Sequence, residues 1–246
     1  MADYSAIIQR FKEKHGHEVF APKAVLFDMD GVLYDSMPRH AIAWTTAMQQ
    51  FDLPMTGHEA YLYEGMRGVE TIQLLFKERK GRILTDEEAH RIYAVKTAAY
   101  AAQGKASVMP GVHALMEALH RDGMTIGVVT GSGQPTLLDA LESDFKGLVS
   151  KARMVTSFDV TIGKPHPMPY LRGLEKVGAV PCEAIVVENA PLGVRASVAA
   201  KIFTIAVNTG TLPDEMLANE GADVVVPNMA AALDVWRGLQ ATLKKI

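Results

Sequence analysis

A chain of 246 residues is long enough for one domain with a sizeable insertion, or for two small domains. With 48% apolar and 22% charged residues it has the composition of a soluble globular protein, and its formal charge of -3 excludes the electrostatic footprint of a nucleic-acid or anionic-membrane binder. One cysteine, Cys182, excludes an internal disulfide framework and fits a reducing compartment, so the cytoplasm is the expected location; a monomer is the expected state.

At the N-terminus no basic segment leads into an apolar run, so no secretory signal is expected, and no apolar stretch is long enough to span a bilayer. Tyr4, Ile7, Ile8 and Phe11 recur at helical spacing and predict a short amphipathic helix, packed on the domain or offered to a partner. A first strand is predicted over Ala24–Asp28. From Pro38 to Gly104 only helical patterns follow, and Thr85-Asp86-Glu87-Glu88 resembles a capping box opening one of them. This stretch, 38–104, reads as an all-helical lid or cap inserted into a core made of 1–37 and 105–246, with Pro110-Gly111 marking the return. A helix over Val112–Arg121 buries Val112, Leu115, Met116 and Leu119, and strands are predicted over Thr125–Thr130 and Met154–Phe158. A helix near Pro169–Val177 shows Leu171, Leu174 and Val177 in periodic array, before strands over Ala184–Glu188, Phe203–Val207 and Asp223–Val226. Apolar strands alternating with helices describe an α/β fold with a parallel sheet, in which ligands bind beyond the carboxyl ends of the strands.

Four strand ends carry chemistry. The first reads Asp28-Met29-Asp30-Gly31. One carboxylate there suits a nucleophile and the other a proton donor and acceptor, the alternative being an ordinary Asp/Gly turn. The second reads Thr130-Gly131-Ser132-Gly133 before a helix starting near Gln134: a phosphate cradle of a hydroxyl and backbone N–H groups, or a plain N-cap and turn. The third, Gly163-Lys164-Pro165-His166-Pro167, offers an ammonium that can neutralise an attacking carboxylate and phosphoryl oxygens, or a solvated surface charge; His166 reads as a loop residue. The fourth, Glu188-Asn189-Ala190-Pro191-Leu192-Gly193, can complete an oxygen shell around Mg²⁺ or cap the next helix. Four such motifs in this order reinforce one another.

In these motifs the chain resembles the haloacid dehalogenase superfamily, in the branch with a helical cap inserted after the first motif. The resemblance runs from Ala24 to the C-terminus and implies a Rossmann-like core with the active site between core and cap. It implies Asp28 as the residue phosphorylated, and Asp30 as general acid/base that also offers its backbone carbonyl to Mg²⁺. It places Thr130 and Lys164 on the phosphoryl group, with Gly131 and Ser132 beside it, and Glu188 and Asn189 in the metal-binding motif. Asp30 argues for phosphoryl transfer over carbon–halogen cleavage, which needs no second aspartate. Asn189 stands where the family usually has Asp, so a further carboxylate is expected to compensate. Glu64, in Tyr63-Glu64-Gly65-Met66-Arg67-Gly68 of the cap, is the candidate, with an exposed helix residue as the alternative.

Ser36-Met37-Pro38, His40 with Trp44, Glu64-Gly65 and Glu188-Asn189-Ala190 resemble the β-phosphoglucomutase-like bacterial inorganic pyrophosphatases, although Met66 stands where that branch carries a cation. Glu64 is then expected as a cap-supplied metal ligand and Arg67 as a cation for a substrate phosphate. Trp44 is expected to pack, and His40 either to pack or to contact substrate or proton. The expected activity is Mg²⁺-dependent hydrolysis of a small phosphorylated metabolite, with inorganic pyrophosphate as the first choice. A sugar phosphomutase or sugar-phosphate phosphatase is the alternative, and a non-catalytic binding protein on the same fold is the third.

Overall fold

A computed structural model of the chain describes residues 3–132 and 135–245; Gly133 and Gln134 of the expected phosphate cradle lie outside the described residues. Helix α1 (Ser5–His15) leads into strand β1 (Ala24–Phe27), and four helices follow: α2 (Met37–Gln49), α3 (Gly57–Leu62), α4 (Gly68–Lys80) and α5 (Asp86–Ala101). Strands and helices then alternate: α6 (Val112–Arg121), β2 (Thr125–Val129), α7 (Pro135–Asp144), β3 (Met154–Val155), α8 (Met168–Val177), β4 (Ala184–Glu188), α9 (Pro191–Ala199), β5 (Phe203–Val207), α10 (Asp214–Asn219), β6 (Val224–Val226) and α11 (Met229–Leu243).

All six strands join one parallel sheet in the order β3-β2-β1-β4-β5-β6, the doubly wound Rossmann-like arrangement. Every residue of β1, β4 and β5 is buried, because helices cover both faces. One face packs on α1, α6 and α11 through Phe11, Phe27, Met116, Phe203 and Trp236; the other packs on α8 and α9 through Leu26, Val129, Tyr170, Val186 and Ala196. The four helices between β1 and α6 form a separate apolar cluster of Trp44, Met48, Ile72, Leu75, Phe76 and Ile92. Both Thr85–Glu88 and Thr56–Glu59 form reciprocal capping boxes; the second had not been singled out from the sequence.

Beyond one-residue differences at the ends of β1, β2 and β6, two predicted details differ. The strand expected over Met154–Phe158 stops at Val155. Asp159 Oδ2 accepts from the backbone N–H (2.8 Å) and hydroxyl (2.7 Å) of Thr156, which turns the chain and leaves Phe158 79% exposed. In α8 the buried face holds Tyr170, Gly173 and Leu174, while Leu171 is exposed. Here the hydrogen bond from Tyr170 to Glu188 sets the helix's rotation in place of the aliphatic stripe.

The N-terminal helix is packed on the core. Phe11 is fully buried, edge-on to Phe20 and Phe203, and Arg10 and Lys14 donate to the carbonyls of Asp223 and Gly221. Phe11→Ala is therefore expected to cost about 3–5 kcal/mol in chemical denaturation, as for other buried aromatic truncations; a loss below about 1 kcal/mol would refute this packing role.

Asp223, at the base of β6, gives a pH test. Burial raises its carboxyl to about 6, against the opposing backbone hydrogen bond from Thr204. Its raised value means that stability present below pH 4 is lost as pH rises through about 6. Asp223→Asn is expected to flatten the stability profile between those limits, and an unchanged slope would remove Asp223 as its source.

Candidate active site

Asp28 and Thr130 each lie one residue past a strand yet prolong the ladder: the Asp28 N–H donates to Val187 O (3.0 Å) and the Thr130 N–H to Val155 O (2.9 Å). Their side chains are thus fixed at the carboxyl edge of the sheet. Lys164, 1% exposed, enters from the loop after β3. Its ammonium donates to Asp28 Oδ1 (2.5 Å), Glu188 Oε1 (2.7 Å) and Val129 O (3.2 Å). Tyr170 Oη also donates to Glu188 Oε1 (2.8 Å), while Glu188 Oε2 accepts from the N–H groups of Asn189 (2.8 Å) and Ala190 (3.0 Å). Glu188 thereby anchors Lys164 and caps the approach to α9. A Cβ at Gly193 would lie 1.7 Å from Glu188 Oε1, so only glycine leaves room for that carboxylate.

Burial raises the Asp28 carboxyl to about 8 despite the opposing Lys164 charge, with Glu188 and Asp30 adding to the rise. Burial works against the Lys164 ammonium, but Asp28 and Glu188 outweigh it and hold the lysine charged. Asp30 moves the other way. Burial would raise it, yet His40 and Ser36 bring its carboxyl down to about 2. Ser36 Oγ (2.6 Å) and His40 Nε2 (3.0 Å) both reach Asp30 Oδ1. Lys96 Nζ lies 2.7 Å from His40 Nδ1. An ammonium can only donate, so the His40 proton sits on Nε2 and points at Asp30. His40 also stacks on Tyr100 at 4.3 Å between ring centroids, and burial together with Lys96 lowers its basicity.

Of the two readings open for His40, the structure brings it to Asp30, while Trp44 packs in the helical insert. Glu64 is buried, not exposed, and accepts from Asn189 Nδ2 (3.0 Å). Burial raises its carboxyl well above the usual range, and Asp28 adds to the rise. Arg67 stands beside the reaction cavity and lines the cleft that adjoins it. Its guanidinium is engaged by Glu70 (3.2 Å) and Thr161 O (2.9 Å) and does not line the cavity over Asp28. Gly131 and Ser132 do line that cavity, but the Ser132 N–H donates to Thr130 Oγ1 (3.0 Å). His166 is the loop residue expected, its Nδ1 accepting from the Met168 N–H at the start of α8.

Lys96 and Tyr170 went unread in the sequence. The signal for Lys96 is positional: it continues the buried Ala89–Ile92 stripe of α5, where a lysine has no place unless paired.

The cavity over Asp28 measures about 70 Å³ and is bordered by Asp30, His40, Glu64, Met66 and Lys96. A larger cleft of about 440 Å³ adjoins it, sharing Gly68, Tyr93 and Gly131 and lined further by Arg67, Val69, His90, Ala94, Thr97, Ser157 and Phe158.

Among the described residues no three His, Cys, Asp or Glu side chains form a ready-made metal cage. The oxygen set that fits a cation is mixed. Asn189 Oδ1 is buried without a hydrogen-bond partner, an arrangement that costs about 1–3 kcal/mol unless a ligand answers it. Around it Asp28, Asp30, Glu64 and Glu188 outnumber the lysines Lys164 and Lys96, and all-oxygen donors suit Mg²⁺.

The family model described as haloacid dehalogenase-like hydrolase matches residues 25–207. Hexitol phosphatase A of Escherichia coli is 32% identical over 186 residues, covering 76% of this chain and 83% of that protein. Beta-phosphoglucomutase of Bacillus subtilis is 27% identical over 213 residues, covering 83% and 88%. A solved structure from Bacteroides vulgatus, provisionally named a beta-phosphoglucomutase, superposes with a TM-score of 0.93 at 46% identity, covering 98% of each chain. No helix among the described residues is long and apolar enough to cross a membrane. The match to the family model extends from β1 through β5 and so takes in all four strand-end motifs: the chain belongs to the haloacid dehalogenase-like hydrolases.

Proposed function

We propose that the protein is a Mg²⁺-dependent phosphohydrolase that cleaves a small sugar- or polyol-type phosphate through a phosphorylated Asp28. The observation that carries this reading is the buried Asp28 carboxylate held 2.5 Å from the Lys164 ammonium, across from an Asp30 oriented by Ser36 and His40. The names of the hexitol phosphatase and phosphoglucomutase relatives support the substrate class. So does the 440 Å³ cleft beside the reaction cavity, which offers space for an organic body. Hydrolysis is favoured over mutase action because a mutase must also hold a second phosphate. Here the helical cap turns Glu64 into the cavity, and its nearby cations are already engaged: Lys96 beside His40, and Arg67, which lines the adjoining cleft, by Glu70 and the Thr161 carbonyl.

In the first step an Asp28 oxygen attacks phosphorus, the bond from phosphorus to the leaving oxygen breaks, and that oxygen takes a proton from Asp30. Near neutral pH Asp28 rests largely protonated and Asp30 ionised. Before the attack a proton must therefore leave Asp28 for solvent and one must reach Asp30, whose affinity for it rises when a phosphate anion arrives beside it. In the second step Asp30 takes a proton from water, the water oxygen attacks phosphorus, and the acyl–phosphate bond breaks to restore Asp28. Thr130 and Lys164 hold the phosphoryl oxygens throughout. Asp28, the Asp30 carbonyl, Asn189 Oδ1 and, from the cap, Glu64 would hold Mg²⁺, which would neutralise charge at the phosphoryl group. Glu188, expected as a further ligand, has both oxygens taken by Lys164, Tyr170 and the Asn189 and Ala190 N–H groups.

Two observations favour inorganic pyrophosphate as a second reading: the cap carboxylate at Asn189 and the small size of the cavity, about 70 Å³. Phosphate release from hexitol phosphates, hexose phosphates and pyrophosphate, each with Mg²⁺ or EDTA, separates the two. The expected result is Mg²⁺-dependent release, fastest from a hexitol or hexose phosphate. Preference for pyrophosphate would select the second reading. Glucose 6-phosphate formed from β-glucose 1-phosphate and a bisphosphate activator would select a mutase, and no release from any substrate would sink the proposal.

A further inference from the structure

Lys164 is the cation of the site, yet the loop that presents it is gripped by the helical cap at two places. The first is Gly65, whose missing side chain would sit 3.2 Å from Lys164 Cδ, so the cap backbone lies directly over the lysine's alkyl stem. The second is the start of α4. Arg67 Nη1 donates to Thr161 O (2.9 Å), and the Gly163 N–H donates to Glu70 Oε1 (3.3 Å). Arg67 also donates to that same Glu70 oxygen (3.2 Å), which closes a small network across the seam. The fit is close: a Cβ on Gly163 would stand 2.7 Å from Arg67 Cγ and 2.8 Å from Glu70 Oε2.

A pair this exposed, with both side chains 29% accessible, adds little to fold stability. What it does have is direction. Its bonds end on the backbone of Thr161 and Gly163, immediately before Lys164, and both are made by the cap.

We propose that Arg67 and Glu70 form a latch through which the seated cap positions Lys164 against Asp28. They are positioning residues, acting through the loop and touching no reacting atom. When the cap lifts, the Gly163 N–H and the Thr161 carbonyl lose their partners together, and the loop carrying Lys164 is freed to move. Cap seating and placement of the catalytic cation are then one event, so the ammonium is held in line only while the cavity is closed to bulk water. The latch rests on the phosphoryl-transfer reading for its catalytic consequence, but not for its existence.

The test uses the full-length protein as wild type, Glu70→Ala, Glu70→Gln and Arg67→Met, with two readouts. One is hydrogen exchange at the Gly163 amide without substrate; the other is kcat and KM for p-nitrophenyl phosphate with Mg²⁺. In Glu70→Ala the Gly163 amide is expected to exchange roughly tenfold faster or more, as protection by the cap carboxylate is lost. Glu70→Gln keeps an acceptor oxygen and is expected to restore protection. The kcat should fall by roughly 10-fold to 10²-fold in Glu70→Ala and Arg67→Met with KM little changed, the scale for a misplaced catalytic group, and recover in Glu70→Gln. Unchanged exchange in Glu70→Ala overturns the latch. Faster exchange with unchanged kcat overturns the positioning role, as does failure of Glu70→Gln to recover. Should the wild type turn over no phosphate ester, the phosphohydrolase reading falls, while exchange at Gly163 still decides whether the latch exists.

Discussion

Asp28→Asn is expected to abolish turnover, lowering kcat by about 10⁴-fold or more, the scale on which enzymes lose activity when a covalent nucleophile is removed. The variant keeps a side chain of the same shape and leaves Lys164 paired with Glu188 at 2.7 Å. Fold stability should be retained or should rise, since burial already disfavours the Asp28 carboxylate and pushes it to about 8. That pairing of outcomes is diagnostic: a residue needed only for structure loses stability and activity together. Rapid quenching with substrate and Mg²⁺, followed by mass spectrometry of the peptide around residue 28, should find a phosphoryl adduct in the wild type and none in Asp28→Asn. Turnover within tenfold of wild type would end the claim that Asp28 is the nucleophile.

The second large effect belongs to Lys164→Met, which removes a buried ammonium while keeping a stem of similar length. Asp28 and Glu188 then face each other without the cation that bridges them. Breaking a buried pair in this way costs about 3–5 kcal/mol. In a chain of this size that corresponds to a midpoint lower by roughly 10 °C. The penalty should depend on pH in a stated direction. The Asp28 carboxyl, at about 8 even with the lysine in place, goes higher without it. Stability present below the unfolded value near 4 is lost as pH rises through the folded value, and in the variant that loss extends further into alkaline conditions. Thermal unfolding of the metal-free protein should therefore show a deficit in the variant that is constant from pH 5 to about 8 and widens above it. A deficit that stays constant above pH 8 as well would mean that the cost is packing and not charge. Turnover should fall by about 10³-fold or more, as when a cation facing a transferred phosphoryl group is lost.

Much of this arrangement was legible in the sequence because its physics is local. Strands β4 and β5 match their predicted bounds to the residue, since runs such as Ala184–Glu188 and Phe203–Val207 are buried on both sheet faces. The four motif positions were legible because a parallel sheet puts strand ends on one edge. What escaped reading was set by contacts between distant segments. The true buried face of α8 follows from one bond between Tyr170 and Glu188, which no stripe of leucines announces. Lys96 is meaningful only once α5 is folded against His40, 56 residues earlier. Arg67 reads as a substrate cation because it stands in the cap loop three residues after Glu64; its bond to the Thr161 carbonyl, 94 residues away, has no signature in that loop.

The wide spacing of the site has a further consequence for how the chain is made. The central strand β1 leaves the ribosome carrying Asp28, but Lys164 follows 136 residues later and β4, which flanks β1 in the finished sheet, later still. Until β2 is made about halfway along the chain the innermost strand has no neighbour, and its other side stays open until β4. Nonlocal pairing of this kind slows folding and leaves apolar edges open to wrong partners until the last strands arrive. Recovery of activity during refolding should accordingly come late, together with closure of the whole sheet, and a nascent chain stalled before β4 should bind chaperones through β1.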